Sequence, residues 1–490
     1  MSTAEKGVVA AGHPLTAQAG ARVLREGGNA VDAALAAMLT SFVTEALLTG
    51  LGAGGYLMVA GGGVEPTLLD FFAEAPLRLG DGSEAELAAL EVSFGDAEQV
   101  FHIGPASCAA YGTPAGVCEA SRRWGRMPLG ELAAPAARLA HEGVALNAVQ
   151  AYIAGLLEEL LTSTPECAAL WAPNGQVLRE GEAFRSDELG EALALLGREG
   201  EEPFYRGGVA AAVCAWLGER GGSLRPADLA GYRAIPREPV RIAYRDRTIL
   251  TNPPPAAGGT LLAYTLALLD RRPSPPKLDD IVGAMRSAQA ERTEEFLEGL
   301  SEDGFLGRFM ASRLGSTTHI AVIDGDGLAC STTSTNGECS GVVVPDTGIH
   351  LNNIMGEEDL NPLGFHLHPA GRRMPSMMAP SVVMRDGEVE LVLGSAGSNR
   401  IRSALLQTIL GVVDRGLAVE EAVEAPRVHF EDGVVFAEPG IDLSLLAPGT
   451  RSVRFGERNL FFGGVQAALC RDGALSGAGD PRRGGAAVLA

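Results

Sequence analysis

Ser316-Thr317-Thr318-His319-Ile320-Ala321-Val322-Ile323-Asp324 opens on hydroxyl residues, continues as an apolar run rich in β-branched side chains, and runs into the turn sequence Asp324-Gly325-Asp326-Gly327. A second run, 328–335, is dense in serine and threonine. Two such runs around an Asp/Gly turn predict a β-hairpin. Thr317 and Thr318 fit there as ordinary strand residues, because β-branched side chains favour sheets. The position allows a second reading. A threonine hydroxyl is a poor nucleophile until a base removes its proton. Cutting the Ser316–Thr317 bond would free an α-amine with a pKa of about 7.7–8.0, partly neutral near neutral pH. That amine can serve as general base for the hydroxyl of its own residue, directly or through one water.

Composition narrows the alternatives. A chain of 490 residues with 46% hydrophobic content can bury a large core, and its length suggests two to four domains. Lys6 and Lys277 are its only lysines, the latter in a Pro-rich run, so Schiff-base chemistry lacks a suitable amine. The net charge of −22 repels nucleic acid and fits a solvated acidic surface. The seven cysteines (108, 118, 167, 214, 330, 339 and 470) show no CxxC spacing, which predicts reduced, mostly buried thiols. No apolar run reaches about 18 residues, and the stretch 8–11 is broken by Gly12-His13-Pro14. Neither a membrane span nor a signal peptide is read, and a cytoplasmic location is expected.

Two further motifs carry a sharper and a blander reading. The glycines of 50–55 match G-x-G-x-x-G, but a helix precedes them and a strand follows, the reverse of a dinucleotide fingerprint. No cofactor is expected. His350, His366 and His368 with the acidic run 357–359 could suggest a metal, yet the His-x-His lies in a Gly/Pro-bounded loop. His141-Glu142 lacks the second histidine of a zinc-protease helix, and Asp324 and Asp326 read as turn residues.

Periodicity predicts helices at 15–25, 30–46, several within 113–157, 187–196, 207–220, 261–270, 278–300 and 398–415. Strands are expected at 56–60, 240–250, 317–323, 328–335, 379–385, 388–394 and as a set within 427–470. A helix-rich first part and a strand-rich last third point to sheets sandwiched by helices.

Several blocks carry a resemblance: Gly12-His13-Pro14, Gly27-Gly28-Asn29-Ala30-Val31-Asp32-Ala33-Ala34, Leu51-Gly52-Ala53-Gly54-Gly55, Pro253-Pro254-Pro255 with Gly258-Gly259, Thr317-Thr318-His319, Leu351-Asn352-Asn353, Pro380 with its strand, Gly394-Ser395-Ala396-Gly397, and Gly479-Asp480-Pro481-Arg482-Arg483. In order and along essentially the whole chain, they resemble the γ-glutamyltransferase family of N-terminal-nucleophile hydrolases. The resemblance implies an α+β protein with a four-layer αββα sandwich, made from a precursor that cuts itself before Thr317. It implies a large segment 1–316 and a small segment 317–490 that stay associated, and it is compatible with a homodimer of such heterodimers.

By the same resemblance, Thr317 would attack a small-molecule or peptide amide to form an acyl-enzyme, resolved by water or by an amine. Thr335 falls where the family places a threonine that orients the nucleophile. Gly397 and Ser398 fall where a Gly-Gly pair supplies the oxyanion hole, and backbone donors there tolerate a serine whose backbone angles are allowed.

The donor pocket departs from the family pattern. The family's carboxylate-binding arginine corresponds to Phe72, within Phe71-Phe72-Ala73-Glu74-Ala75-Pro76. A Ser-Ser pair reads Ser376-Met377, a Gln position reads Ile354, an Asp position reads Glu357, and Asn336 matches an Asn position offset by one. Without a bidentate arginine, a buried substrate carboxylate loses a charge-assisted pair. Arg372, Arg373 and Arg400 are the candidates to replace it. Poor use of ordinary γ-glutamyl compounds is expected, with a less polar acyl donor or a glutaryl/cephalosporin-type acylase activity instead. The other readings are an uncleaved scaffold or binding protein and a metal-dependent hydrolase built on 350–368.

Overall fold

The computed structural model describes residues 5–77, 87–93, 98–290, 318–357, 360–361, 364–397 and 399–490. In chain order the strands of its two large sheets are β1 (Gly7–Ala11), β2 (Gly54–Gly61), β3 (Val64–Phe71), β4 (Ile235–Arg237), β5 (Val240–Tyr244), β6 (Arg247–Thr251), β7 (Thr318–Asp324), β8 (Leu328–Thr335), β9 (Ser381–Arg385), β10 (Glu388–Ala396), β11 (Gly464–Arg471), β12 (Ala474–Gly479) and β13 (Ala486–Leu489). One sheet runs β13-β1-β7-β8-β2-β3-β4 and the other β12-β11-β10-β9-β6-β5, antiparallel throughout.

The expected hairpin is β7–β8, near the middle of the first sheet, with Thr318 paired to Ser334 and His319 to Thr333. Strand alternation sorts its side chains. Ala321, Ile323 and Ala329 pack between the sheets against Val382, Val392 and Ala468. Ile320, Val322 and Cys330 point the other way, into a cluster with helices α1 (Pro14–Arg25) and α2 (Ala30–Thr44). Helices α3 (Ala257–Asp270), α4 (Leu278–Ala290), α5 (Arg400–Val413) and α6 (Val419–Glu424) cover the outer face of the second sheet through Val383, Leu391, Leu393, Val465 and Ala467. Helix, sheet, sheet, helix is the expected four-layer αββα arrangement.

All fifteen residues of α2 are buried, as a helix that is apolar nearly all round must be. Its start is fixed by a capping box: the Asn29 side chain accepts from the backbone N–H groups of Val31 and Asp32, while Asp32 accepts from that of Asn29. Asp324 does more than shape its turn, since its second carboxylate oxygen accepts from the backbone N–H of Ala30. The β7–β8 turn is thereby tied to the start of α2.

Several expectations need correction. The strand read at 240–250 is a tight hairpin, β5 and β6, turning at Arg245 with φ 55°. Residues 7–11 form a fully buried strand between β7 and β13, although five residues gave too little periodicity to announce it. The second helix ends at Thr44, because Glu45 leaves helical geometry (φ −132°, ψ 39°). The helix expected at 278–300 spans Leu278–Ala290, and 291–300 lies outside the described residues. The cysteines need no correction: as expected, all seven are free and six are buried. Each sheet takes strands from both sides of position 317.

Candidate active site

Thr318 begins β7 and is 3% exposed, while Ser316, Thr317 and Ser398 lie outside the described residues. Its hydroxyl donates to Oε1 of Glu45 across 2.8 Å. Oε2 of Glu45 accepts from the Thr16 hydroxyl at 3.3 Å, and Thr16 in turn bonds Thr44 at 2.7 Å. The ends of α2 and β7 and the first turn of α1 therefore meet on one buried carboxyl. Burial pushes Glu45 up to about 7, against the two threonine hydrogen bonds and the positive charge of Arg483.

On the inner face of the same strand, Nδ1 of His319 pairs with the Thr333 hydroxyl at 2.8 Å. Burial pushes this imidazole down to about 3, so it is neutral. A Cβ at Gly394 would sit 2.2 Å from two atoms of the ring, so glycine alone lets β10 pass over the histidine. His319 is a packing and hydrogen-bonding residue. Thr335 ends β8 opposite Gly54, 2% exposed, and its hydroxyl accepts from the backbone N–H of Gly337 at 2.8 Å.

Gly397 follows β10 with φ 114°, a conformation that favours glycine. Its missing side chain leaves room for a neighbour: a Cβ would come within 3.3 Å of Nη2 of Arg483. The stem of Arg483 crosses Gly464 on β11, where a Cβ would meet its Cδ at 2.5 Å. Arg400, at the start of α5, donates from Nε to the Phe461 carbonyl at 3.0 Å and stacks on that ring at 4.4 Å. Burial, then the charge of Arg400, pushes Arg483 down to about 10. Asn399 is held by Glu431, which also pairs with His429, itself bonded to Ser403.

The positions expected to bind the acyl group fall into two places. Phe72 is fully buried and stacks on Tyr56 with ring centroids 5.6 Å apart. The backbone carbonyl of Phe72 accepts from Tyr232 and from Arg373. Arg373 also donates to Tyr232 and to the Arg233 carbonyl, and it faces Asp70 at 3.5 Å and Glu74 at 3.8 Å. It is a structural cation. The backbone of Ser376 pairs with Ala257 and Gly258, and Met377 is fully buried against Gly258. In the second place, Asn336 and Glu357 are buried around Gly337, where a Cβ would collide with Glu357 at 2.1 Å. Arg372 is exposed. His368 bonds the Arg373 carbonyl, and among the described residues no three His, Cys, Asp or Glu side chains converge as a metal site.

Glu45 and Arg483 are the residues whose roles sequence reading missed. Glu45 sits 273 positions from Thr318, and no local pattern signals that contact. Arg483 was legible only as part of a terminal block.

The sequence profile described as Gamma-glutamyltranspeptidase matches residues 16–304 and 302–490. The chain is 30% identical to the Acylase ACY 1 proenzyme of Pseudomonas sp. (strain V22), over 99% of this chain and 94% of that one. It is 29% identical to the Glutathione hydrolase proenzyme of Bacillus subtilis (strain 168), covering 98% and 91%. Among solved structures, the cephalosporin acylase from Bacillus halodurans superposes with a TM-score of 0.84 at 25% identity, covering 99% and 96%. No helix among the described residues is long and apolar enough to cross a membrane.

Proposed function

The chain belongs to the gamma-glutamyltranspeptidase family, an enzyme of the N-terminal-nucleophile type, and from that premise we propose that Thr317 is its self-generated nucleophile. The reading rests on one observation. A strand whose first described residue is Thr318 lies buried near the middle of the first sheet, its start anchored to Glu45 and its inner face packed under Gly394 of the second.

In the precursor, the Thr317 hydroxyl oxygen attacks the Ser316 carbonyl carbon and the C–N bond breaks, leaving an ester and the α-amine. Water cleaves the ester, releasing a Ser316 carboxylate and restoring the hydroxyl. The two segments remain interleaved because both sheets use strands from each. In turnover, the α-amine takes the hydroxyl proton as the oxygen attacks the donor amide, then delivers it to the departing amine. Water or an acceptor amine resolves the acyl ester. Thr335 orients the nucleophile, and the backbone donors of Gly397 and Ser398 receive the negative charge that develops on the carbonyl oxygen.

The donor is a γ-glutamyl or related acyl amide, with weak activity on ordinary γ-glutamyl compounds. Phe72 supports this preference: packed on Tyr56, it fills the place of the family's carboxylate-binding arginine with apolar volume. Asn336, Glu357, Ser376 and Met377 complete the donor side. A denaturing gel with N-terminal sequencing tests the reading. Fragments of 316 and 174 residues, the second beginning at Thr317, support it. A single full-length band from active protein, or turnover that survives Thr317→Ala, refutes it and favours a scaffold or a different nucleophile.

A further inference from the structure

We propose that His429 and Glu431 are positioning residues for the reaction: through a buried hydrogen-bonded chain that starts at Ser403, they hold Asn399 and with it the oxyanion donor of Gly397. The inference rests on the oxyanion reading above and extends that site to groups that never touch substrate.

The chain joins two elements. Ser403 lies near the start of α5, and its hydroxyl meets Nδ1 of His429 at 2.8 Å. His429 belongs to the strand Val428–Glu431, where its Nε2 meets Oε2 of Glu431 at 3.3 Å. Oε1 of Glu431 accepts from Nδ2 of Asn399. The next backbone N–H, that of Arg400, donates to the Gly397 carbonyl at 3.0 Å. Phe436 and Phe461 pack against the His429 ring, which is fully buried.

Asn399 is the telling member. An asparagine just before a helix ordinarily caps it, its side chain accepting from a backbone N–H of the first turn. Asn399 makes no such bond to α5. Its Nδ2 turns to Glu431 instead, and its Oδ1 is buried without a hydrogen-bond partner. A local contact is given up for one 32 positions along the chain.

The protons fall into one order. Burial opposes the charge on Glu431, but the His429 bond and neighbouring positive charge hold the carboxyl below its ordinary value. Burial also lowers the His429 pKa, so the ring is neutral. A carboxylate only accepts, so the ring proton sits on Nε2 and Nδ1 accepts from the Ser403 hydroxyl. A serine, histidine and glutamate in line also suggest a second nucleophile. Ser403 is only 5% exposed and faces the Met285 sulfur at 3.8 Å, where no substrate reaches it. The chain holds; it does not react.

Glu431→Gln separates positioning from charge. A negative charge on this loop repels a developing oxyanion, so removing it would speed the reaction if charge alone mattered. Loss of positioning slows it. The two effects have opposite signs.

The test follows p-nitroaniline release in the first turnover of the self-cleaved enzyme, with γ-glutamyl p-nitroanilide and its thio analogue. Sulfur is the weaker acceptor, so the oxygen-to-sulfur rate ratio reports the donors at the reacting carbonyl. Glu431→Gln should lower the oxygen rate by about tenfold or more, as a misplaced group does, and bring the ratio toward one. KM should stay within about twofold, because the lost contact acts in the transition state. Asn399→Ala should do the same, and the double variant should be no slower than either single one, as for members of one chain.

An unchanged ratio, an equal fall with both substrates, additive effects or faster turnover each overturn the proposal. So does failure of both single variants to fold or self-cleave, which would assign the chain to folding or to the first cut. Turnover that survives Thr317→Ala sinks the nucleophile reading instead. An unmodified enzyme with no preference for oxygen sinks the oxyanion assignment and this proposal together, and leaves Thr317 standing.

Discussion

The hydroxyl of Thr318 and the carboxyl of Glu45 meet at 2.8 Å at the start of β7, joining residues that the chain separates by 273 positions. Because Glu45 is buried, its ionisation is opposed by desolvation and its pKa rises from 4.5 to about 7. A carboxyl whose folded pKa exceeds its unfolded value stabilises the fold most below the unfolded pKa, and this contribution is lost as pH climbs through the folded one. The loss between pH 4.5 and 7 amounts to about 3.5 kcal/mol at most, taking about 1.4 kcal/mol per unit. Glu45→Gln removes it. Urea midpoints of the two proteins at several pH values check this: the variant's stability relative to the parent rises from pH 5 to pH 8, and a constant difference would refute it.

His319 behaves in the opposite sense. Its folded pKa, pushed down to about 3 by burial, lies below the ordinary 6.5, so the fold resists protonation and weakens as pH falls below 6.5. NMR should show no titration of this ring between pH 5 and 8. Gly394→Ala would drive a methyl group into it. We expect a loss of about 1–3 kcal/mol or more, typical of overpacking, together with slower or absent self-cleavage.

Phe72 supplies a third prediction. With γ-glutamyl p-nitroanilide, kcat/KM should fall below about 10⁴ M⁻¹ s⁻¹, the lower end for efficient enzymes. Phe72→Arg does not restore γ-glutamyl activity, because the new cation would enter a core already holding Arg373 against Asp70 and Glu74. Steady-state kinetics with glutathione and the anilide decide it, and efficient glutathione turnover by the unmodified enzyme would contradict the reading.

Asp480 anchors a buried network. It pairs with Arg427 and Arg482, and Arg482 also binds Glu438, with all four side chains nearly inaccessible to water. Asp480→Asn leaves two guanidiniums short of compensation, and removing one member of a buried pair costs about 3–5 kcal/mol. Thermal or urea unfolding should show that loss, whereas a change below 1 kcal/mol would mean that Glu438 and the backbone carbonyls suffice.

The helix-and-sheet reading was legible where the signal is short-range. The Asp324-Gly325-Asp326-Gly327 turn fixed the hairpin, Asn29 and Asp32 marked the start of α2, and ordered blocks along the chain pointed to the family. The break within 240–250 was not legible, because the two-residue turn at Arg245 and Asp246 carries no glycine or proline to mark it. The strand at 7–11 was missed for a related reason: buried on both faces, it has no polar alternation to reveal it.

By itself, then, the order of residues determined the local elements, the turn at the end of the threonine-led strand and the family to which the chain belongs. Only the tertiary structure decided that Glu45 reaches Thr318, that Phe72 packs shut against Tyr56, that Arg373 is spent on structural contacts, and that Arg483 crosses Gly464 to lie beside Gly397. Turn chemistry and periodicity act within a few residues. The charge a side chain carries, and the partner it finds, depend on which distant strands pack around it and exclude water.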